Sequence, residues 1–457
     1  MQTSFSLAQL ADPAIAEAEK ILRACVHCGF CTATCPTYVL DGNELDSPRG
    51  RIYLIKEMLE HERPASAEVT LHVDRCLSCL SCMTTCPSGV HYMHLVDHAR
   101  GRIEETYRRP LGDRLLRRIL AALMPYPNRF RLALEAARLA KPMAPLLDLF
   151  GLERLAAMLR LSPWHRPHRP IEPQTFASAG ARKGRVALFP GCVNDLLLPA
   201  INAAAIRVLT RNHIEVVLPP GAGCCGALVH HMGREAEALA AARANIDAWT
   251  AIEGLDAILI TASGCGTTVK DYGFMLRGDS AYAERAARVS SLARDVTEYL
   301  AGVPLEAVHD SPNLVVAYHS ACSLQHGQRI TRQPKEILGR LGFAVKDVPD
   351  GHLCCGSAGT YNILQPDTAR RLRERKVGTI EGLRPDVIAA GNIGCITQIA
   401  AGTELPVAHT VELIDWATGG PCPAPLRESR SRAAMQPSTA VDRAGLGRRR
   451  VRNAGLS

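Results

Sequence analysis

Residues 25–36 read CVHCGFCTATCP and residues 76–87 read CLSCLSCMTTCP. Both fit C-x2-C-x2-C-x3-C-P, one 51 residues after the other. Three thiolates spaced by two residues wrap one corner of a small inorganic cube. The fourth, followed by Pro, is turned away toward a second centre. Structural zinc also takes paired C-x2-C knuckles, but it needs only four ligands and usually a longer gap between its pairs. Eight cysteines in two matching runs, each closed by Pro, fit iron–sulfur far better.

Eight of the remaining nine cysteines fall into a duplication. Cys192, Cys224, Cys225 and Cys265 recur as Cys322, Cys354, Cys355 and Cys395, every one displaced by 130 residues. Pro219/Pro349, Gly221/Gly351, Gly226/Gly356, Asp256/Asp386 and Gly264/Gly394 keep the same offset, which marks an internal repeat. Each copy alternates strand-like and helical stretches. In the first, RVALFP runs into Cys192, IEVVLP precedes the Cys224-Cys225-Gly226 triplet, and DAILIT precedes Cys265. In a parallel sheet all strands end at one edge, so four thiolates are expected to converge on one spot per copy, with small Gly neighbours letting the backbone come close. That is a cofactor pocket rather than a scatter of small buried thiols. GAGCCG at 221–226 formally matches G-x-G-x-x-G, but the second copy reads GHLCCG and breaks it. No nicotinamide site and no P-loop are assigned, and Cys422 is given no role.

The elements that must carry these groups follow from punctuation and periodicity. Ser47-Pro48 opens a helix running toward Pro64, and another spans Tyr92 to Arg108 before Pro110. The expected fold is α+β and multidomain: an N-terminal α-helical two-cluster unit (1–110), a basic helical linker (111–180), two tandem α/β cysteine-rich repeats (181–310 and 311–420) and a disordered basic tail (421–457). His27, His91, His94 and His98 lie near the first unit and read as packing or solvent-facing residues. In 111–124, Arg114, Arg117 and Arg118 share one helical face opposite Leu115, Leu116, Ile119, Leu120 and Leu123. Such a helix packs on the protein or lies on an anionic membrane.

Composition excludes several classes. The 457 residues are 47% hydrophobic and 21% charged, enough apolar material for more than one core. The net charge of +8 is concentrated in 102–170 (+8) and 425–457 (+6), leaving the rest mildly acidic, which argues against a nucleic-acid-binding fold. No run reaches the length of a membrane-spanning helix, and the N-terminus lacks a secretory signature. Seventeen cysteines without such a signal point to metal binding rather than disulfides.

These motifs, with ILRACVHCGFCTATCPTY, DSPRGRIYLIKEML, CPSGV, AGCCGA, RANIDAW, ASGCG, DVPDGHLCCGSAGTY and GNIGC, resemble the cysteine-rich iron–sulfur subunits related to heterodisulfide reductase. Within that group the chain looks most like the glycolate oxidase iron–sulfur subunits, over residues 20–417. As in bacterial two-cluster ferredoxins, the expected partition is Cys25, Cys28, Cys31 and Cys86 on one [4Fe–4S] cluster and Cys76, Cys79, Cys82 and Cys35 on the other. The resemblance implies an electron-transfer subunit beside FAD-binding glycolate oxidase subunits, feeding a quinone or other membrane acceptor, in the cytoplasm or peripheral on the inner membrane. Equivalent subunits for D-lactate or glycerol 3-phosphate, and a disulfide reductase, are the alternatives. The heterodisulfide reductase form ends its repeat in C-x2-C, whereas Thr268 and Gln398 stand here. With four thiolates per copy, a noncubane cluster and disulfide chemistry are disfavoured. A four-ligand cluster in each copy, or a site used only during assembly, is what remains, and each set of four cysteines is expected to bind iron–sulfur.

Overall fold

The computed structural model describes residues 1–308 and 314–435. Its N-terminal unit is helical because capping and burial act together. Ser47 Oγ accepts from Gly50 N–H (3.0 Å) to start helix Pro48–Glu60. Ser66 Oγ does the same for Val69 N–H (3.1 Å) at Ala67–Asp74. These pack with Pro13–Ala24 and Tyr92–Thr106 around Leu22, Ile55, Val73, Leu95 and Ile103, all fully buried.

Both copies of the repeat build a parallel sheet. The first orders its strands β1-β3-β2-β4-β5, with β1 Gln174–Phe176, β2 Gly184–Phe189, β3 Ile214–Leu218, β4 Ala257–Ile260 and β5 Ala293–Asp295. The second orders them β7-β6-β8-β9, with β6 Val315–His319, β7 Ala344–Asp347, β8 Val387–Ala390 and β9 Val407–His409. The repeated aspartates have matching jobs: Asp256 Oδ2 accepts from Arg185 N–H, and Asp386 Oδ2 from Val315 N–H, both at 2.7 Å. β1 lies in the segment expected to be linker and pairs antiparallel with β3, covering an edge. The helical stretch after Cys192 is broken into Asn194–Leu197 and Ala200–Arg211, since Leu198 precedes Pro199 and is held out of the helical region.

The two sheets share one apolar core. Helix Ala200–Arg211 of the first copy meets Thr410–Ala417 of the second, where Asp415, 1% exposed, accepts from Arg207 Nε (2.8 Å) and Arg211 Nη2 (2.7 Å). Residues 424–435 form a helix with Leu426 buried in this core, so the segment just after 420 is ordered where a disordered tail was expected. The Arg-rich run at 447–452 lies outside the described residues.

Helices Leu111–Leu123, Pro127–Ala140 and Glu153–Leu161 lie over the repeats. The expected grouping of Arg114, Arg117 and Arg118 is divided. Arg117 is buried because Asp74 (2.9 Å) and Asp113 (3.1 Å) receive it, while Leu116 and Leu120 pack on Ile363 and Leu364. Among the described residues no helix is long and apolar enough to cross a membrane.

Candidate iron–sulfur sites

The helical unit brings its eight cysteines to two adjoining cavities. Cys25, Cys28, Cys31 and Cys86 line the first, and Cys35, Cys76, Cys79 and Cys82 the second. Each set takes three thiols from one motif and the Pro-flanked fourth from the other. Cys82 also touches the first cavity, so the two share a wall.

The second cavity is fixed from beneath by the DSPRGR segment. Arg51, 1% exposed, points Nη1 at Cys35 Sγ (3.8 Å) and donates from Nε to His72 O (2.6 Å) and from Nη2 to Thr37 Oγ1 (3.0 Å). Its charge is balanced by the buried Asp46, which also receives His72 (2.9 Å) and Arg75 (2.8 Å). Arg100 holds the Cys76 carbonyl (2.8 Å), and Tyr92 donates toward Cys76 Sγ (3.8 Å). Burial pushes the Cys79 and Cys82 thiols well above the ordinary thiol range, and Cys31 up to about 11. As thiolates these groups need a cation, which an iron–sulfur cluster held by them would supply.

The repeat cysteines emerge past their strands as expected, but the two copies do not form separate pockets. All eight line one cavity of about 370 Å³ between the sheets, and Cys79 reaches it as well. The geometry within each copy is matched. Gly226 N–H donates to Cys224 Sγ at 3.5 Å, and Gly356 N–H to Cys354 Sγ at 3.4 Å. Both glycines have positive φ (83° and 91°), and a Cβ on Gly356 would stand 2.5 Å from Ala369 O. Cys192 Sγ lies 3.7 Å from Cys224 Sγ; its thiol and the Cys225 thiol, with Gly226 N–H, hold Cys224 well below the usual thiol value. In the first copy Asn245 ties the loop down, accepting from Gly223 N–H and donating to Cys224 O, both at 2.9 Å.

Thr268 and Gln398 are occupied elsewhere. Gln398 Nε2 donates to Ala369 O (3.1 Å) and its Oε1 accepts from Asn362 (3.1 Å), while Thr268 Oγ1 donates to Gly264 O (3.4 Å). The opposite wall is apolar: Leu123, Phe130, Leu134, Met158 and Leu161 of the overlying helices close over the thiols. The sequence reading did not find this roof, because amphipathicity shows that a face is buried and not what it covers. It also missed His319, fully buried beside Cys355 and Cys395 with both ring nitrogens unpaired. His94 leaves the cluster region altogether, stacking on Phe274 and meeting Asp271 at 2.9 Å.

Paired thiol cavities in a helical unit, followed by two cysteine-rich parallel sheets, define an iron–sulfur protein of the dicluster-plus-cysteine-rich class. The family profiles agree: a 4Fe-4S dicluster domain matches residues 24–90, and a cysteine-rich domain matches 186–270 and 316–400. The glycolate oxidase iron–sulfur subunit of Escherichia coli (strain K12) is 45% identical over 424 residues, 91% of this chain and 99% of that relative. The probable glycolate oxidase iron–sulfur subunit of Bacillus subtilis (strain 168) is 31% identical, covering 83% and 88%. Lactate utilization protein A of Bacillus licheniformis is 24% identical over half of this chain. A crystal structure of a hypothetical protein from Helicobacter pylori shares the fold at a TM-score of 0.54 and 11% identity, covering 91% of this chain and 74% of that one. The chain belongs to the glycolate oxidase iron–sulfur subunit family.

Proposed function

We propose that this chain is the electron-transfer subunit of a flavin-dependent complex that oxidises glycolate to glyoxylate, with FAD on partner subunits and a quinone-type acceptor at the far end. The observation that carries it is continuity: Cys82 is common to the first two cavities and Cys79 to the last two. When bound, [4Fe–4S] clusters supply one-electron steps that divide a flavin's two-electron charge. On this reading Cys25, Cys28, Cys31 and Cys86 hold one cluster and Cys35, Cys76, Cys79 and Cys82 the next. The repeat cysteines Cys192, Cys224, Cys225, Cys265, Cys322, Cys354, Cys355 and Cys395 hold further iron–sulfur. Arg51 and Arg100 fix the second set of thiols, and the apolar roof keeps water from the third.

The two ends suit different partners. Val26 (65% exposed) and Phe30 (63%) surround the first cavity, with Cys28 exposed, a face for docking a flavoprotein. At the other end, thirteen of the nineteen exposed large apolar side chains among the described residues fall in 111–164, interleaved with arginines. That composition suits an anionic bilayer carrying a lipophilic acceptor.

The test is anaerobic purification of the tagged chain from its own cells, then dye reduction by the eluate with glycolate, D-lactate and glycerol 3-phosphate. Glycolate-dependent reduction with a co-purifying flavoprotein is expected. A brown protein that comes alone and is inert toward all three overturns the reading. For the repeat sites, a Cys225→Ser, Cys355→Ser protein is expected to lose iron; unchanged iron content removes those clusters.

A further inference from the structure

His319 closes β6 at the edge where the thiols gather. It is fully buried, and neither Nδ1 nor Nε2 has a hydrogen-bond partner. An imidazole left that way is costly unless something else engages it. One ring nitrogen of His319 and the sulfurs of Cys355 and Cys395 all lie within 4.8 Å of one another. The duplication supplies a comparison inside the same molecule. One repeat length earlier stands Phe189, 1% exposed, which packs in an apolar cluster. A second position differs in the same sense: Lys376, 2% exposed, carries a charge that acts on Cys322, Cys354 and Cys355, whereas the matching residue is Ile246. The first exchange puts nitrogen beside the thiols of the second copy, and the second puts a cation within electrostatic reach of them, its Nζ donating to Asp350 O (2.8 Å), where the first copy has hydrocarbon at both positions.

We propose that His319 is a fifth protein ligand at the iron–sulfur site of the second repeat, beside Cys322, Cys354, Cys355 and Cys395. The inference rests on the reading that the repeat thiols hold iron–sulfur. It makes the copies chemically unequal, with only thiolates in the first and a mixed thiolate–imidazole set in the second. The extra donor comes from the strand end rather than from three residues past the last cysteine, where Gln398 is already committed. Imidazole ligation raises the potential of an iron–sulfur centre relative to thiolate alone. The second repeat is thereby the stronger electron sink of the pair.

The experiment is electron–nuclear double resonance on the anaerobically purified complex, reduced and frozen. Protein from cells fed ¹⁴N- or ¹⁵N-histidine is compared, and the second-repeat signal is assigned by its loss in Cys355→Ser. A nitrogen coupling that follows the isotope is expected, because only a bound imidazole gives it. His319→Leu is expected to lose that coupling together with iron. His319→Cys is expected to keep the iron at a lower midpoint potential. A loaded second repeat with no isotope-dependent coupling overturns the ligand while leaving the cluster, and the labelled unmutated protein gives that answer even if His319→Leu fails to fold. Iron and spectra unchanged in Cys355→Ser overturn the cluster and the ligand together.

Discussion

Arg51 is an ordinary helical arginine by sequence, yet its guanidinium supports the Cys35 end of the second cavity and neutralises Asp46. Arg51→Met removes those bonds and leaves Asp46 fully buried with only His72 and Arg75. Iron content is expected to fall by one cluster's worth, with the first cluster's electron paramagnetic resonance signal retained. Gly356→Ala forces a left-handed φ and a clash with Ala369 O, a loss of about 2 kcal/mol visible in thermal unfolding. Asp295, whose Oδ1 accepts from Thr297 N–H (2.8 Å), has its carboxyl raised to about 6 by burial. An unfolded aspartate titrates near 3.9, so between about pH 4 and 6 the native state binds the extra proton. Stability from this residue is therefore full below about pH 4, is lost as pH rises to about 6 and is constant above. The unfolding midpoint of Asp295→Asn minus that of the unmutated protein is expected to rise over that interval. At this scale the grouping of the cysteines was legible because their spacing alone sorts them into sets that share a cavity. His319 was not, because a single histidine at a strand end carries no periodic signal.

Elements were legible where strand, turn and helix alternate, and the 130-residue offset aligned them twice. What escaped were the short strands β1, β5 and β9, each three residues long and too brief for any period to register. The contacts between elements were equally silent. Gly233, at φ 83°, approaches the carbonyl of Arg100 so closely that a Cβ would sit 2.3 Å from it. Gly233→Ala is expected to part the first repeat from helix Tyr92–Thr106, and hydrogen exchange in that helix would report it. Arg207→Ala with Arg211→Ala strands the Asp415 carboxylate between the sheets, at a cost of roughly 3 kcal/mol measurable by denaturant unfolding.

For the whole molecule, the order of domains could be read from the cysteines, but their convergence could not. Nothing in either copy announces that its partner's thiols will face the same 370 Å³ cavity. Nor does the basic stretch reveal that Leu111 (74% exposed) and Leu115 (60%) face outward while Arg117 is buried. If the roof rests on a bilayer, the complex will sediment with anionic liposomes at low salt and dissociate as ionic strength rises. Leu111→Ser with Leu115→Ser will weaken it, and indifference to such liposomes would dispose of the idea.

On the proposed reading, the shared walls at Cys82 and Cys79 wire the centres in series. In such a circuit the conducting fraction is the product of the separate occupancies, not their mean. A preparation short of iron at each centre by a modest amount will look nearly complete by metal analysis and yet carry far less current. Throughput will then track the rarest fully loaded chains, so reconstitution will restore turnover steeply, near the end of iron uptake.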